Sequence, residues 1–451
     1  MDRTNNKNLK IFTPSSKHLS LIYYPPVTTS DTISNPNSLT QQFSHITKTL
    51  TFAAQIFGYI PYKLHFDQSA LISSFSYKSY PGILFFVNLS LALFYLIVPN
   101  LFNLSVIFHS ARSPKSDNSS NTHTASEAFV KTAVAISRCC VRILVFVQIK
   151  KTLKFHANLS NSLIRLEIVL KSESANPTVS KFTEKISKKL KILMIASIIS
   201  MLVCHTHSSV TQIYGLISTP KNYRDVDTPF KKGLFVIFFL IKNLIGISEG
   251  FYTIWLCAMI LVIEIGFHVL EVFVKCKPLK NENRREMETY FTTFLSEFTN
   301  FSEIIEQFGQ VFSKQMILIM LSKSIVCVMD MFIFISTVTS ETYTNYVNWT
   351  VALIFMWHST LTLALLPMAS SHLGEQRTKV LKLFVENGIR TFAPKLQLKL
   401  QGFLHITKTE LFINPGNYFV LNKNYFISVL GFLSTYVLVL VQFKASEKPP
   451  V

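Results

Sequence analysis

Charge is scarce in this chain. Asp, Glu, Lys and Arg make up 15% of its 451 residues, against about a quarter in an ordinary soluble domain. Cysteine is scarce too: the six (Cys139, Cys140, Cys204, Cys257, Cys276 and Cys327) lie in or beside apolar segments. That placement argues against a disulfide framework and predicts free thiols. No apolar core segment follows Met1, so no signal peptide is expected. Residues 1–44, rich in Asn, Ser, Thr, Lys and Pro, read as a disordered cytoplasmic tail. The sequence has no H-E-x-x-H, P-loop or paired-Cys metal motif. It therefore offers no catalytic residues, no cofactor site and no metal site, and an enzyme is not expected. His205-x-His207 is no exception, because residues two apart on a helix point to different sides. No internal repeat is visible, and no Gly- or Pro-broken helices recur in matching halves, which argues against a transporter.

Apolar residues are plentiful. Hydrophobic residues supply 49% of the chain, Phe alone 39 positions, and the mean hydropathy is +0.33. The profile predicts an all-α membrane protein. Its formal net charge is +19, yet a nucleic-acid partner is not expected. The Lys and Arg residues cluster between apolar blocks, where a membrane protein places its cytoplasmic charge.

About 20 helical residues cross the hydrocarbon core. Seven apolar stretches reach that length, at about 81–109, 127–149, 190–218, 233–263, 315–340, 349–373 and 424–443. Spans one to six thus fall in a membrane domain over 45–373. The segments 150–191, 275–285 and 374–408 are strongly basic, whereas 111–124, 219–232 and 341–348 are leaner. Positive loops favour the cytoplasm, which places the N-terminus inside and the C-terminal tail, 444–451, outside. The sequons at Asn118 and Asn348 then fall in outer loops. Residues 150–190, 264–314 and 374–415 keep helical periodicity with mixed charge, so the helices are expected to continue as cytoplasmic extensions. Residues 374–423 read as cytoplasmic anchor helices, broken at Pro394.

The last span carries the most specific pattern. Ser428, Gly431, Thr435, Leu438 and Gln442 recur at steps of three and four and share one stripe of an apolar helix. Such a stripe suits a water-filled path or packing on further copies. The string Asn414-Pro415-Gly416-Asn417-Tyr418 matches the N-P-x-x-Y of rhodopsin-like receptors. Here it precedes the last span instead of lying inside it, and Asn-Pro-Gly reads as a turn. The inside N-terminus and the absence of cysteine from the outer loops also argue against that class.

Three places resemble insect gustatory receptors. They are Thr435-Tyr436-x5-Gln442-Phe443, the lead-in Gly416–Asn422 to the last span, and Gln55–Pro61 ahead of the first. Together with span count, length and orientation, the resemblance covers residues 45–443. It implies a tastant-gated cation channel of the plasma membrane, a homotetramer with one central pore lined by the last helix of each subunit. It also implies a small-molecule tastant bound in the outer half of each subunit, and leaves a heteromer with related receptors open. Sugar-sensing members commonly carry Glu after the motif Tyr. Val437 stands there in this chain, which points away from that subfamily. An odorant-receptor-like channel and a seven-helix G-protein-coupled receptor are the alternatives.

Candidate residues follow. Gln442 and Phe443, with Leu438, Thr435 and Gly431, are read as pore and gate; Tyr436 belongs to the motif but packs on a neighbour. Asp330, Glu249, Lys242, Trp357, His358 and Gln212 are read as ligand-pocket candidates. Charges within a span are costly and rarely idle, so Glu249 and Asp330, with Lys242 and Lys323 seven residues away on their own helices, form either a polar pocket or buried ion pairs. The topology is testable. An N-terminal epitope tag should stain only permeabilised cells and a C-terminal tag intact cells; an N-terminal tag visible on intact cells would refute the orientation.

Overall fold

The computed structural model describes residues 51–52, 54–56, 60–67, 70–75, 79–112, 118–171, 195–196, 198–207, 210, 229–276, 284–339, 346–407 and 412–446. The predicted tail 1–44 and Gln212 lie outside this set. Nine helices of it carry the argument: α1 (Tyr80–Arg112), α2 (Asn118–Val147), α3 (Ile149–Lys171), α4 (Ile198–His207), α5 (Pro229–Cys276), α6 (Arg284–Thr339), α7 (Tyr346–Thr391), α8 (Pro394–Thr407) and α9 (Lys423–Ser446). The all-helical expectation missed one hairpin. Strands β1 (Tyr62–Asp67) and β2 (Ala70–Phe75) pair antiparallel, Tyr62 opposite Phe75 and Asp67 opposite Ala70. The Tyr-Lys-Leu-His-Phe-Asp alternation of β1 has the period of two that a strand requires.

Among the described residues, four helices are long and apolar enough to cross a membrane: α5, α6, α7 and α9. The pair α2–α3, bent by 66°, passes the same test jointly, and α1 and α4 contribute shorter apolar stretches at Tyr80–Phe94 and Ile198–His207. Each overlaps one of the seven apolar stretches read from the sequence, except α3, which lies almost wholly beyond the second stretch. The two sequons, however, fall in the first turns of α2 and α7, not in loops.

The three longest helices exceed any bilayer. α5, α6 and α7 have 48, 56 and 46 residues, and at about 1.5 Å per residue the shortest is roughly 70 Å long. A hydrocarbon core is about 30 Å thick, so each continues as a helix beyond it. α6 shows what holds those extensions. Its buried residues Phe291, Phe294, Phe298, Phe301, Ile305, Phe308 and Phe312 step by three and four along one face. Phe384 of α7 stacks on Phe294 at 3.7 Å between centroids, Phe392 meets Phe291 at 5.3 Å, and Phe403 of α8 reaches Phe298 at 5.9 Å. On α5, Gly266 admits the Phe301 ring, since a Cβ there would approach its Cε1 to 2.1 Å. Polar ties close the same layer: Glu271 of α5 accepts from Lys275, Gln376 and Lys379 at 2.6, 2.6 and 2.9 Å.

The bend between α2 and α3 has its own brace. Tyr252 donates to Gln315 Oε1 at 2.7 Å, and Gln315 Nε2 donates to Gln148 Oε1 at 3.2 Å. Gln148 is the single residue between the two helices. Beyond it, Phe155 of α3 packs on Phe308 and Phe312, and His156 on Trp255.

The aromatic layer makes a stability prediction. Phe294→Ala or Phe384→Ala should cost about 3–5 kcal/mol, the usual loss for a fully buried Phe. Thermal unfolding of the detergent-solubilised protein reads it, and a melting temperature equal to wild type would show that the stack is not a stabilising core.

Candidate functional site

Arg138, Glu249 and Lys323, from three helices, meet in one cluster. Glu249 of α5 accepts from Arg138 of α2 at 2.7 Å and from Ser322 of α6 at 3.1 Å, and Lys323 of α6 stands 3.5 Å from the same carboxylate. Glu249 is 1% exposed. Arg142, one turn beyond Arg138, donates to Ser248. The sequence pairs Lys242 with Glu249 and Lys323 with Asp330 by spacing along single helices. The fold gives Glu249 partners from α2 and α6 instead, because residues seven apart stand about 10 Å apart along the axis. Asp330 is partly buried and lies within electrostatic range of Lys323, Lys242 and Ser359.

A narrow crevice lies beside this cluster. Met201 of α4, Gly250 and Ile254 of α5, and His358, Leu361, Thr362 and Leu365 of α7 line it. Its free space admits about one water molecule. Of the pocket candidates, His358 lines the crevice, Glu249 borders it in sequence beside Gly250, and Trp357 points away, 66% exposed. Sequence reading missed Met201 and Gly250. The signal was present as Gly246-x-x-x-Gly250, a pair of small residues on one helix face that lets a neighbour approach. α4 fills that groove: a Cβ on Gly250 would come within 2.2 Å of Met201 Sδ, and one on Gly246 within 2.5 Å of His205 Cε1. Two polar contacts pin α4 further, Ser200 Oγ with His358 Nδ1 at 3.0 Å and His205 Nδ1 with Asn243 Oδ1 at 3.1 Å. Among the described residues no group of His, Cys, Asp and Glu is arranged to hold a metal ion.

α9 stands apart from this interior. Only 11% of its apolar window is buried, against 83% for α5. Leu433 and Val437 are buried, and Phe426, Val429, Leu430, Leu440 and Val441 are half-buried. At 100° per residue these lie on one side of the helix. Ser428, Gly431, Thr435, Leu438 and Gln442 are all exposed on the opposite side, and Tyr436 is 50% exposed. The described side chains end at Gln442, so that of Phe443 falls outside them. Thr435 and Ser434 donate to Gly431 O and Leu430 O at 3.0 and 2.8 Å, which satisfies both hydroxyls within the helix.

The root of α9 is built on a turn. Gly416 and Asn417 take positive φ of 61° and 62°, conformations that Gly and Asn tolerate best. Leu421 N donates to Ile413 O at 3.0 Å, and Asn422 Oδ1 accepts from Tyr425 N at 2.9 Å as the cap of α9. Asn-Pro-Gly is thus a turn, as its residue types indicate.

The cluster makes a prediction. Glu249→Ala leaves two cations buried without their carboxylate and should cost about 3–5 kcal/mol. Glu249→Gln keeps an acceptor and should cost less. Surface expression and thermal unfolding of the two variants read the difference; wild-type behaviour of Glu249→Ala would show that the cluster does not hold α2, α5 and α6 together.

Comparison with known proteins fits this architecture. The chain is similar in structure to the insect olfactory receptor OR5 from Machilis hrabei, with a TM-score of 0.64 at 13% identity over 89% of this chain and 100% of that one. The same receptor in complex with eugenol gives a TM-score of 0.61, again at 13% identity with 89% and 100% coverage. No curated protein matches the sequence significantly. The family model for 7tm chemosensory receptors matches residues 47–447, which spans the whole of the described fold, and the chain belongs to that family of seven-helix membrane receptors.

Proposed function

We propose that this chemosensory receptor is a tastant-gated cation channel of the plasma membrane, with its pore formed by α9 from each of four subunits. The observation that supports the reading most is the face of α9. The polar stripe from Ser428 to Gln442 lies opposite the side packed on the subunit's own helices. Four such helices around an axis turn that stripe inward and cover apolar surface that a lone subunit leaves open. Gln442 then rings the pore with amides, and Phe443 supplies an apolar constriction beside it. The ending Thr435-Tyr436-x5-Gln442-Phe443 favours a gustatory over an olfactory role. N-terminus inside and C-terminus outside remain the orientation that the loop charges support.

The ligand site in this reading is the crevice between α4, α5 and α7, with Glu249 beside it and Asp330 as a further candidate. A ligand that fits it better when α4 stands away from the Gly246–Gly250 groove stabilises that arrangement by its difference in affinity. Eugenol, which the related olfactory receptor binds in its structure, belongs in the first panel beside sugars and plant bitter compounds.

Whole-cell recording of the chain expressed alone tests the channel. Gln442→Glu should strengthen divalent block, because a ring of amides becomes a ring of carboxylates, and Phe443→Ala should raise ligand-independent current. Unaltered permeation in the first and a silent channel in the second would remove the pore role of α9. At the ligand site, Asp330→Asn should shift the dose-response with surface expression intact. Reduced folded protein instead would assign Asp330 to structure.

A further inference from the structure

One helix carries both the crevice and the root of α9. α7 lines the crevice with His358, Leu361, Thr362 and Leu365. About 15 Å further along, ten residues at 1.5 Å each, a single turn of α7 holds both ends of the segment 412–423. Ser371 Oγ accepts from Lys423 N at 3.4 Å, and Glu375 Oε1 accepts from Lys423 Nζ at 2.7 Å. Phe412 lies against Gly374 so closely that a Cβ there would come within 2.4 Å of its Cε1. The far side of the turn rests on α6, where a Cβ on Gly309 would meet Asn414 O at 3.6 Å and one on Gly416 would meet Ser313 Cβ at 3.8 Å. The Leu421–Ile413 hydrogen bond closes the segment on itself. It moves with whatever grips it.

Between crevice and grip stands Pro367, inside α7. Proline has no N–H, so the Leu363 carbonyl lacks its helical donor and α7 bends most easily there. We propose that α7 is the coupling element of the receptor. Pro367 is its bending point, and the turn Ser371–Gly374–Glu375 is the grip that carries movement at the crevice to Lys423 and so to α9. The proposal rests on the channel reading above. It makes Glu375 and Lys423 positioning residues, which set how often the pore opens and not what passes through it.

Charge exchange tests this without a ligand. Spontaneous single-channel openings are recorded for Glu375→Lys, Lys423→Glu and the double variant at matched surface levels. Each single change should alter open probability about two- to fivefold per subunit, the range for an exposed ion pair. The double variant should return towards wild type, with conductance and cation selectivity constant throughout. Gly374→Ala, which drives the Phe412 ring out, should also alter open probability with conductance unchanged. Single variants that gate like wild type overturn the proposal, as does a double variant that shows no rescue. A change of selectivity at these positions overturns it too, by placing them in the pore. If permeation follows Gln442→Glu while open probability ignores Glu375 and Lys423, the coupling alone falls. A wild-type chain that passes no current overturns the channel reading and the coupling with it.

Discussion

A carboxylate buried inside a membrane bundle must be paired or it drives the helices apart. Glu249 meets that condition with Arg138 from α2 and Lys323 and Ser322 from α6. Each ion alone costs several kcal/mol to remove from water even after relaxation. The three together are tolerable only at short range and in one register. That requirement fixes α2, α5 and α6 relative to one another at the depth where α4 and α7 enclose the crevice. It explains why the most buried helix, α5, also carries a charge, and why the small residues Gly246 and Gly250 flank it: the side left free of bulk admits α4.

The remaining stability sits elsewhere. The aromatic stripe of α6 begins at Phe291 and reaches Phe312 before the residues read as the fifth span start at 315. Phe294, Phe384 and Phe392 interlock there, with Glu271 and its three donors at the margin. Within the hydrocarbon, apolar contact with a neighbour displaces lipid of equal polarity and contributes little. In water the same contact is strongly favourable. With the span bounds read from the sequence, a Phe-rich layer beyond the bilayer is where burial would stabilise most, leaving the membrane part to hold polar contacts and a crevice.

α9 follows the opposite rule. It is held by one face and by its root, and most of its surface is left uncovered by the rest of the chain. The same helix bears the polar stripe, and the same turn of α7 that meets Phe412 meets Lys423. An element fixed at one end and loosely packed along its length is suited to move, because few buried contacts must be broken.

The sequence by itself determined the class of the molecule: seven apolar stretches, basic segments between them, the stripe of the last helix and the turn at Asn414–Gly416. All are local or periodic signals, legible because helix pitch and bilayer thickness are constants. It also holds further periodic signals: the α6 phenylalanine stripe, the small-residue pair on α5 and the alternation of β1. Only the tertiary structure decided which charges meet. Spacing along a helix selects a shared face and says nothing of the helix opposite, so Arg138, 111 residues from Glu249, could not be chosen over Lys242. The same holds for Met201 in the Gly250 groove and Lys423 on Glu375. These contacts join residues distant in the chain, and their partners are set by the packing of whole helices, which no local pattern contains.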